Sequence, residues 1–214
     1  MADDTKASHR DGWIEVVIAT VLSIAGLATS WSSYQASLWD GEQAAHYSRA
    51  NALRVSASRA RLEADTQRSI QIGLFNSWLQ AKARGDDTLA NFYEARFPAD
   101  LKSAFQPWIA QAPLKNPNAP QSPFATAAYN PAGYAEAEQL DVLSDKTFDR
   151  GQEDNRISDV FTRGTVFLAM ALFFAGIGQV FKFRIVRLAL LVIAIAACAV
   201  GISSVAFLPT LSPG

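Results

Sequence analysis

Cysteine is almost absent from this chain of 214 residues: Cys198 is the only one, and it lies inside an apolar run. A single thiol excludes an intrachain disulfide and a cysteine-based metal site. A lone cysteine in such a run is more often a small packing residue than a nucleophile. An excess of charge is absent too, since 19 basic and 20 acidic residues leave a net charge of −1. The sequence therefore offers no electrostatic basis for binding nucleic acid.

Catalytic signatures are missing as well. The chain has only two histidines, His9 and His46, and it contains no phosphate-binding loop, no Gly-x-Ser-x-Gly and no cluster of metal ligands. Glu42 and His46 are four residues apart and share a helix face, yet two ligands are too few for a specific metal site. We therefore expect a protein that is not an enzyme and that binds no cofactor and no metal.

Charge is missing from three long stretches of the chain. These lie between Glu15 and Asp40, between Arg163 and Lys182, and after Arg187. A bilayer has a hydrocarbon core of roughly 30 Å, so we predict transmembrane helices at residues 13–31, 164–181 and 188–208. Residues 13–31 could also be a secretory signal peptide cleaved after Ser30, although their apolar stretch is longer than a usual signal core.

The connection between the second and third predicted spans is basic. Residues 182–187 contain no acid and three cations, Lys182, Arg184 and Arg187. Short basic loops stay on the cytoplasmic side of a membrane. We therefore predict a protein of the bacterial inner membrane, with residues 1–12 in the cytoplasm and residues 32–160 and 209–214 outside it.

The first long segment outside the predicted membrane spans favours a single helix. Residues 32–84 contain no proline and are rich in alanine, the best helix former. Small side chains at helical spacing let helices approach each other closely. The predicted helix-packing residues of this segment are Ala45, Ala52, Ala57, Ala60 and Ala64. Gly85 is the expected stop, and Asp86 is a natural N-cap for the next helix.

Proline is concentrated in residues 112–131. No long helix tolerates that density of proline, so the sequence predicts a packed, proline-rich cap there. From Ala132 a second long helix should begin and continue into the second span, with Gly151 as its one weak point. The predicted fold class is an all-α membrane protein with three transmembrane helices and a long helical-stalk extramembrane domain.

The two predicted stalk helices carry complementary charges. The first is rich in arginine, with Arg49, Arg54, Arg59, Arg61 and Arg68, and the second is rich in acids, with Asp141, Asp145, Asp149, Glu153, Asp154 and Asp159. This pattern favours antiparallel pairing of the two helices, within one chain or between chains. Anion binding by the arginines is the alternative interpretation.

The first predicted span has a face of small and polar residues. Its members are Glu15, Thr20, Ser23, Gly26 and Ser30. An ionisable group within a membrane segment is often functional, and hydroxyl groups around a common axis could line a water-filled pore. The alternative is helix packing, because Gly26 and Ser30 are small residues four apart. The same spacing marks further packing residues in the other two spans, Ala171, Ala175, Ala197 and Gly201.

Several short motifs resemble a family of uncharacterised bacterial inner-membrane proteins. They are Trp31 with Tyr34-Gln35, Gly41-Glu42-Gln43, Trp78-Leu79, Gly85-Asp86, Phe92-Tyr93, Asn116-Pro117, Ser122-Pro123-Phe124 and Phe173-Phe174-Ala175-Gly176-Ile177. The resemblance covers most of the chain. It implies a bacterial origin and one N-terminal span, a helical extramembrane domain and a C-terminal hairpin, and it transfers no activity and no catalytic residue.

Two functional hypotheses follow from these patterns. The first is a non-enzymatic homo-oligomer whose spans surround an axis and could conduct ions, because the polar face of the first span and the alanine-rich helix both call for partner helices. The second is a scaffold or accessory subunit that binds another membrane or periplasmic protein through the aromatic and proline residues of 89–131. The lipid bilayer is the partner common to both.

Overall fold

The computed structural model describes the backbone of residues 3–113 and 115–212, together with their side chains except at residues 3–11 and 132. The described residues form five α-helices, one 3₁₀ turn and no strand. The helices are α1 (Asp3–Ala83), α2 (Asp87–Ala95), α3 (Ala99–Ile109), α4 (Ala132–Gly178) and α5 (Arg184–Val205), and the 3₁₀ turn is Pro123–Ala125. The all-helical fold class is confirmed. The predictions for residues 1–2 and 213–214 lie outside the described residues.

The long helix α1 runs without interruption through the first apolar stretch and the alanine-rich segment. It contains no proline, and Gly41 and Gly73 do not break it. It ends where the sequence predicts, because Gly85 adopts a φ of 73°, a left-handed conformation that glycine takes readily. The Asp86 side chain then accepts a hydrogen bond of 2.9 Å from the backbone N–H of Leu89 and caps α2.

The proline-rich segment follows α3 and is packed, as the sequence predicts. Its only helical element among the described residues is the single turn Pro123–Ala125. Phe124 lies with its ring centroid 5.7 Å from that of Phe75 on α1, and Tyr129 packs edge-on against Phe124 at 4.9 Å. The Trp108 indole on α3 donates a hydrogen bond of 2.7 Å to the Pro120 carbonyl.

Helix α4 corrects one expectation about the returning helix. Gly151 is not a weak point, because α4 is continuous from Ala132 to Gly178 and Gly151 is buried within it. A Cβ added at Gly151 would lie 2.6 Å from the Tyr47 ring of α1. The glycine is therefore a position of close approach between the two helices.

Among the described residues, three helical segments are long and apolar enough to cross a membrane. They are Gly12–Ala83, Gly133–Gly178 and Arg184–Val205. The boundaries of the C-terminal pair differ from the predicted ones, since α4 ends at Gly178 and the link to α5 is residues 179–183. Arg184 and Arg187 therefore lie in the first turns of α5 rather than in a loop. The physical reason is that arginine is a good helix former.

The chain divides into two compact units, residues Met1–Ser48 with Thr147–Gly214 (unit 1) and Arg49–Lys146 (unit 2). In unit 1 the described parts of α1, α4 and α5 pack as three helices. Ile14 of α1 packs in a cluster with Ala175 of α4, whereas Ala36 packs with Phe161. The two helices therefore run antiparallel. Helix α5 runs parallel to α1, because its early residue Leu191 lies in the Ile14 cluster and its late residue Val205 in the Ala36 cluster.

In unit 2, α1 and α4 also run antiparallel and meet along small side chains. The buried residues of this seam repeat every seven positions: Ala50, Ala57 and Ala64 on α1, and Ala137 and Ser144 on α4. The Ser144 hydroxyl donates a hydrogen bond of 2.9 Å to the Ala50 carbonyl across the seam. Two ion pairs flank it, Arg54–Asp145 at 3.2 Å and Arg61–Asp141 at 3.1 Å. The predicted charge pairing of these helices thus occurs within the chain.

The other end of unit 2 has an aromatic core. Trp78 of α1 is surrounded by Phe75, Phe105 and Trp108, with centroid distances of 4.9 to 6.2 Å. Phe97 and Leu101 complete the buried cluster. Burial of large apolar side chains stabilises a fold by about 1.5–3 kcal/mol each, so this cluster holds α2, α3 and the proline-rich segment on the end of α1.

Candidate functional site: the polar face of α1

Apart from Glu15, the predicted polar face of α1 lies away from the chain's own helices. Thr20, Ser23 and Ser30 are exposed, and a Cβ added at Gly26 would have nothing within 4 Å. The chain's own packing uses a different face of the same helix, which contains Ile14, Ile18 and Ala25. This part of α1 therefore has one face that is occupied within the chain and one that is not.

The hydroxyl groups of this face are satisfied inside α1. Each donates to the backbone carbonyl four residues earlier: Thr20 to Val16 at 2.8 Å, Ser23 to Ala19 at 2.8 Å, and Ser30 to Gly26 at 3.1 Å. A hydroxyl bonded in this way has no donor left unpaired in an apolar environment, while its oxygen can still accept hydrogen bonds from another helix. The face is therefore chemically compatible with close helix packing inside a bilayer.

Glu15 is not an isolated carboxylate. Its Oε1 lies 3.4 Å from an Nη of Arg187 on α5. The Glu15 side chain is 69% exposed, whereas that of Arg187 is only 15% exposed and its Nε has no hydrogen-bond partner. Lys182 and Arg184 near the same end of α5 are exposed. The sequence assigned Arg187 to topology alone, and its contact with Glu15 joins the polar face to the basic end of α5.

At the end of unit 1 away from Glu15 and Arg187, the side-chain amide of Gln35 joins α1 to the residues that follow α5. Gln35 is 4% exposed and makes two hydrogen bonds to the backbone of Leu211, donating to its carbonyl at 3.0 Å and accepting from its N–H at 2.9 Å. The Trp39 indole adds a bond of 3.2 Å to the Pro209 carbonyl. The residues that follow α5 are thereby fixed on α1, a contact that the sequence did not indicate.

The predicted packing residues of the second and third apolar helices lie between helices. Ala171, Ala175, Ala197 and Gly201 are all buried. Gly201 lies against α4 so closely that an added Cβ would be 2.8 Å from Leu168 Cγ and 3.2 Å from the Gly164 carbonyl oxygen. Gly164 in turn lies against Val205 and Gly201 of α5. These two glycines therefore mark a position of close approach between α4 and α5.

The predicted alanine face of α1 is divided by the structure. Ala57 and Ala64 are buried and Ala60 is half-buried, whereas Ala45 and Ala52 are exposed. Ala52 lies five residues before Ala57, which is roughly 140° around a helix, so the two cannot face the same partner. The packed alanine is Ala50, and the seven-residue spacing to Ala57 does not identify it alone, because Ala45 and Ala52 are also seven residues apart.

One buried polar pair was also missed from the sequence. His46 Nδ1 lies 2.6 Å from Asp154 Oδ2, and both side chains are largely buried between α1 and α4 of unit 1. The pair gives His46 a partner other than Glu42, with which the sequence grouped it. Among the residues that the structure describes, no three His, Cys, Asp or Glu side chains are grouped so as to hold a metal ion.

Unit 2 contains a groove of about 450 Å³ beside the α1–α4 seam. Its polar lining mixes both signs of charge, with Arg59 beside Glu63 on α1 and with Glu136 and Asp100. A mixed lining of this kind gives no single ligand chemistry a clear preference. A smaller cleft of about 270 Å³ lies between Trp108, Phe75 and the prolines of 113–120.

Comparison of the chain with protein-family models, with curated proteins and with solved structures gives no match.

Proposed function

We propose that this chain is a non-enzymatic membrane protein that crosses the bilayer with α1, α4 and α5 and assembles with copies of itself through the polar face of α1. The observation that carries the proposal is the open surface around Gly26. Small residues at membrane depth let another helix approach closely, which is where membrane helices gain packing energy. Thr20, Ser23 and Ser30 add acceptor oxygens along the same line.

Self-association is better supported than a scaffold role. The scaffold hypothesis rested on the aromatic residues of 89–131 as a binding surface. Phe97, Phe105 and Trp108 are buried in the chain's own core, and Phe92, the aromatic most exposed in this segment, is 48% exposed and has Arg96 over its ring. Little aromatic surface therefore remains in this segment for a partner protein.

The assembly can be tested by its mass in detergent. We expect the purified wild-type chain to form an oligomer and Gly26→Leu to shift it towards smaller species, because a bulky side chain at a close helix contact costs about 1–3 kcal/mol. Gly176→Leu is the matched control, since an added Cβ at that apolar-helix glycine also has nothing within 4 Å. A monomeric wild-type chain, or equal effects of the two substitutions, would refute the proposal.

The proposed oligomer could also conduct ions, and a measurement of ion flux tests this. If polar faces surround an axis, Ser23→Leu should block cation flux into liposomes by a dry constriction, and Glu15→Gln should reduce cation selectivity. If the face serves packing alone, wild-type oligomers give no flux above empty liposomes, and Ser23→Leu changes the oligomer size. The internal bonds of the hydroxyl groups favour the packing outcome.

The proposed orientation keeps the basic end of α5 in the cytoplasm and unit 2 outside it. In a Cys198→Ser background, a cysteine introduced at Asn118 should react with a membrane-impermeant thiol reagent on intact spheroplasts. A cysteine introduced at Lys182 should react only after the membrane is opened. The reverse labelling pattern would overturn this orientation.

A further inference from the structure

Charge is distributed unequally between two facing stretches of unit 2. Residues 49–62 of α1 contain four arginines and no acid, whereas residues 132–145 of α4 contain four acids and no base. The chain's own ion pairs use two of each, Arg54 with Asp145 and Arg61 with Asp141. The members left without an ion pair among the described residues are Arg49 and Arg59 on α1 and Glu136 and Glu138 on α4. Two charges of each sign are thus available to another molecule.

Apolar side chains accompany these charges on the outer side of each helix. On α1, Val55 and Leu62 are 44% and 68% exposed, and with Arg54, Ser58 and Arg59 they line a shallow open cleft, here named the α1 patch. On α4, Val142 and Leu143 are 49% and 47% exposed. They line a second open cleft, the α4 patch, with Ala135, Glu138, Gln139 and Lys146.

The two patches lie on opposite flanks of the helix pair. Val55 follows the buried Ala50 by five residues, and Val142 follows the buried Ala137 by five, which is roughly 140° around each helix. Each patch therefore points away from the seam where α1 and α4 meet. One copy of the chain can use its α1 patch on one side and its α4 patch on the other.

The patches also lie at the same level along the helices. Two contacts within the chain show which residues of α1 and α4 lie side by side, because Ser144 bonds to Ala50 and Tyr134 bonds to Asp65. Between these limits Val55 is level with Val142, Arg59 with Glu138, and Leu62 with Ala135. Copies inserted in one membrane share one direction, so α1 of one copy and α4 of its neighbour run antiparallel, as these two helices do within unit 2 of one chain.

We infer that the α1 patch of one copy binds the α4 patch of the next copy, so that the assembly is built from a head-to-tail contact in unit 2. The partner is a second copy of this chain, and the inference rests on the self-association proposed above. Arg59 pairs with Glu138 of the neighbour while Val55 packs against Val142. A contact between two different patches closes into a ring when the rotation allows it.

Disulfide trapping tests this contact in the assembled protein. Val55→Cys and Val142→Cys are made separately in a Cys198→Ser background, carry different tags, are co-expressed and are oxidised in the membrane. We expect a mixed dimer containing both tags and little dimer from either variant alone. A bond within one chain would need Cα atoms less than about 7 Å apart, which opposite flanks exclude. Ser69→Cys with Val142→Cys is the control, because Ser69 lies about four turns beyond Val55 on the same outer side of α1 and is not level with Val142.

Charge reversal provides the second arm. Arg59→Glu should lower the yield of the mixed dimer by roughly fivefold, the upper range for an exposed ion pair, and adding Glu138→Arg should restore it. An intact oligomer that gives no mixed dimer, or only dimers between identical positions, refutes the head-to-tail contact and leaves self-association standing. A monomeric wild-type chain refutes both.

Discussion

Replacing Gly151 by alanine should destabilise the protein, although alanine is the better helix former. An added methyl group would lie 2.6 Å from the Tyr47 ring and 3.3 Å from the Cβ of His46. The ring cannot turn away freely, because it is stacked on Phe148 with a centroid distance of 5.0 Å. Overpacking of this kind costs about 1–3 kcal/mol, and the gain in helix propensity returns about 0.5–1 kcal/mol. The net cost should be about 1–2 kcal/mol.

The measurement is thermal unfolding in detergent, followed by circular dichroism at the helical minimum. For a chain of this size each kcal/mol moves the Tm by about 2–4 °C, so Gly151→Ala should lower the Tm by about 2–8 °C. Gly41→Ala is the matched control: the glycine is exposed within α1 and an added Cβ meets nothing within 4 Å, so its Tm should rise. In a Tyr47→Ala background most of the penalty at Gly151 should disappear, because only the 3.3 Å contact with the His46 Cβ remains. If Gly151→Ala raises the Tm as Gly41→Ala does, the close approach of α1 and α4 is wrong.

Two further contacts give predictions. Gln35→Leu removes both hydrogen bonds to the backbone of Leu211. The N–H and carbonyl of Leu211 are then left unpaired, at a cost of about 1–3 kcal/mol each when buried. Residues 209–212 should therefore become sensitive to protease, whereas the control Gln43→Leu should leave them resistant. The hydrogen bond to Asp65 raises the pKa of the Tyr134 phenol, so the neutral phenol is favoured in the folded state. This contact therefore stabilises the folded protein below about pH 10, and the stabilisation is lost as the pH rises through the raised pKa. Asp65→Ala should therefore lower that pKa in an ultraviolet titration, taken as the difference from Tyr134→Phe, and an unchanged titration would contradict the contact.

The sequence predicted the helical segments well because their signals are local. Gly85 ends α1 and Asp86 caps α2 through their own backbone and side-chain chemistry, and these roles do not depend on distant residues. The proline-rich segment and the start of α4 at Ala132 are local features too. The misplaced boundary at Arg184 has the same origin, since a basic residue favours both a cytoplasmic loop and a first helical turn.

The contacts between helices could not be predicted from the sequence in the same way. Gly151 looks like a helix breaker until Tyr47, about a hundred residues away, is placed against it. From the sequence Arg187 is only a topology signal, whereas the structure places it 3.4 Å from Glu15, which is 172 residues away in the chain. Ala50 differs from Ala52 only in phase, and that phase is fixed by the partner helix. Such residues have the same local helix preference, and only contacts with residues distant in the chain decide which of them is buried.

The small-residue seam of unit 2 has a consequence for the alignment of its helices. Ala50, Ala57 and Ala64 repeat every seven residues, so a slip of one helix by two turns would set one alanine in place of another with almost the same packing. Attraction along the seam is therefore nearly degenerate between alignments. What distinguishes them is a hydrogen bond between two side chains, which the Tyr134 phenol donates to Asp65. The residues seven positions before and after Asp65 are Ser58 and Ile72, which carry no carboxylate. Polar contacts of this kind contribute little attraction, yet they select one alignment among several.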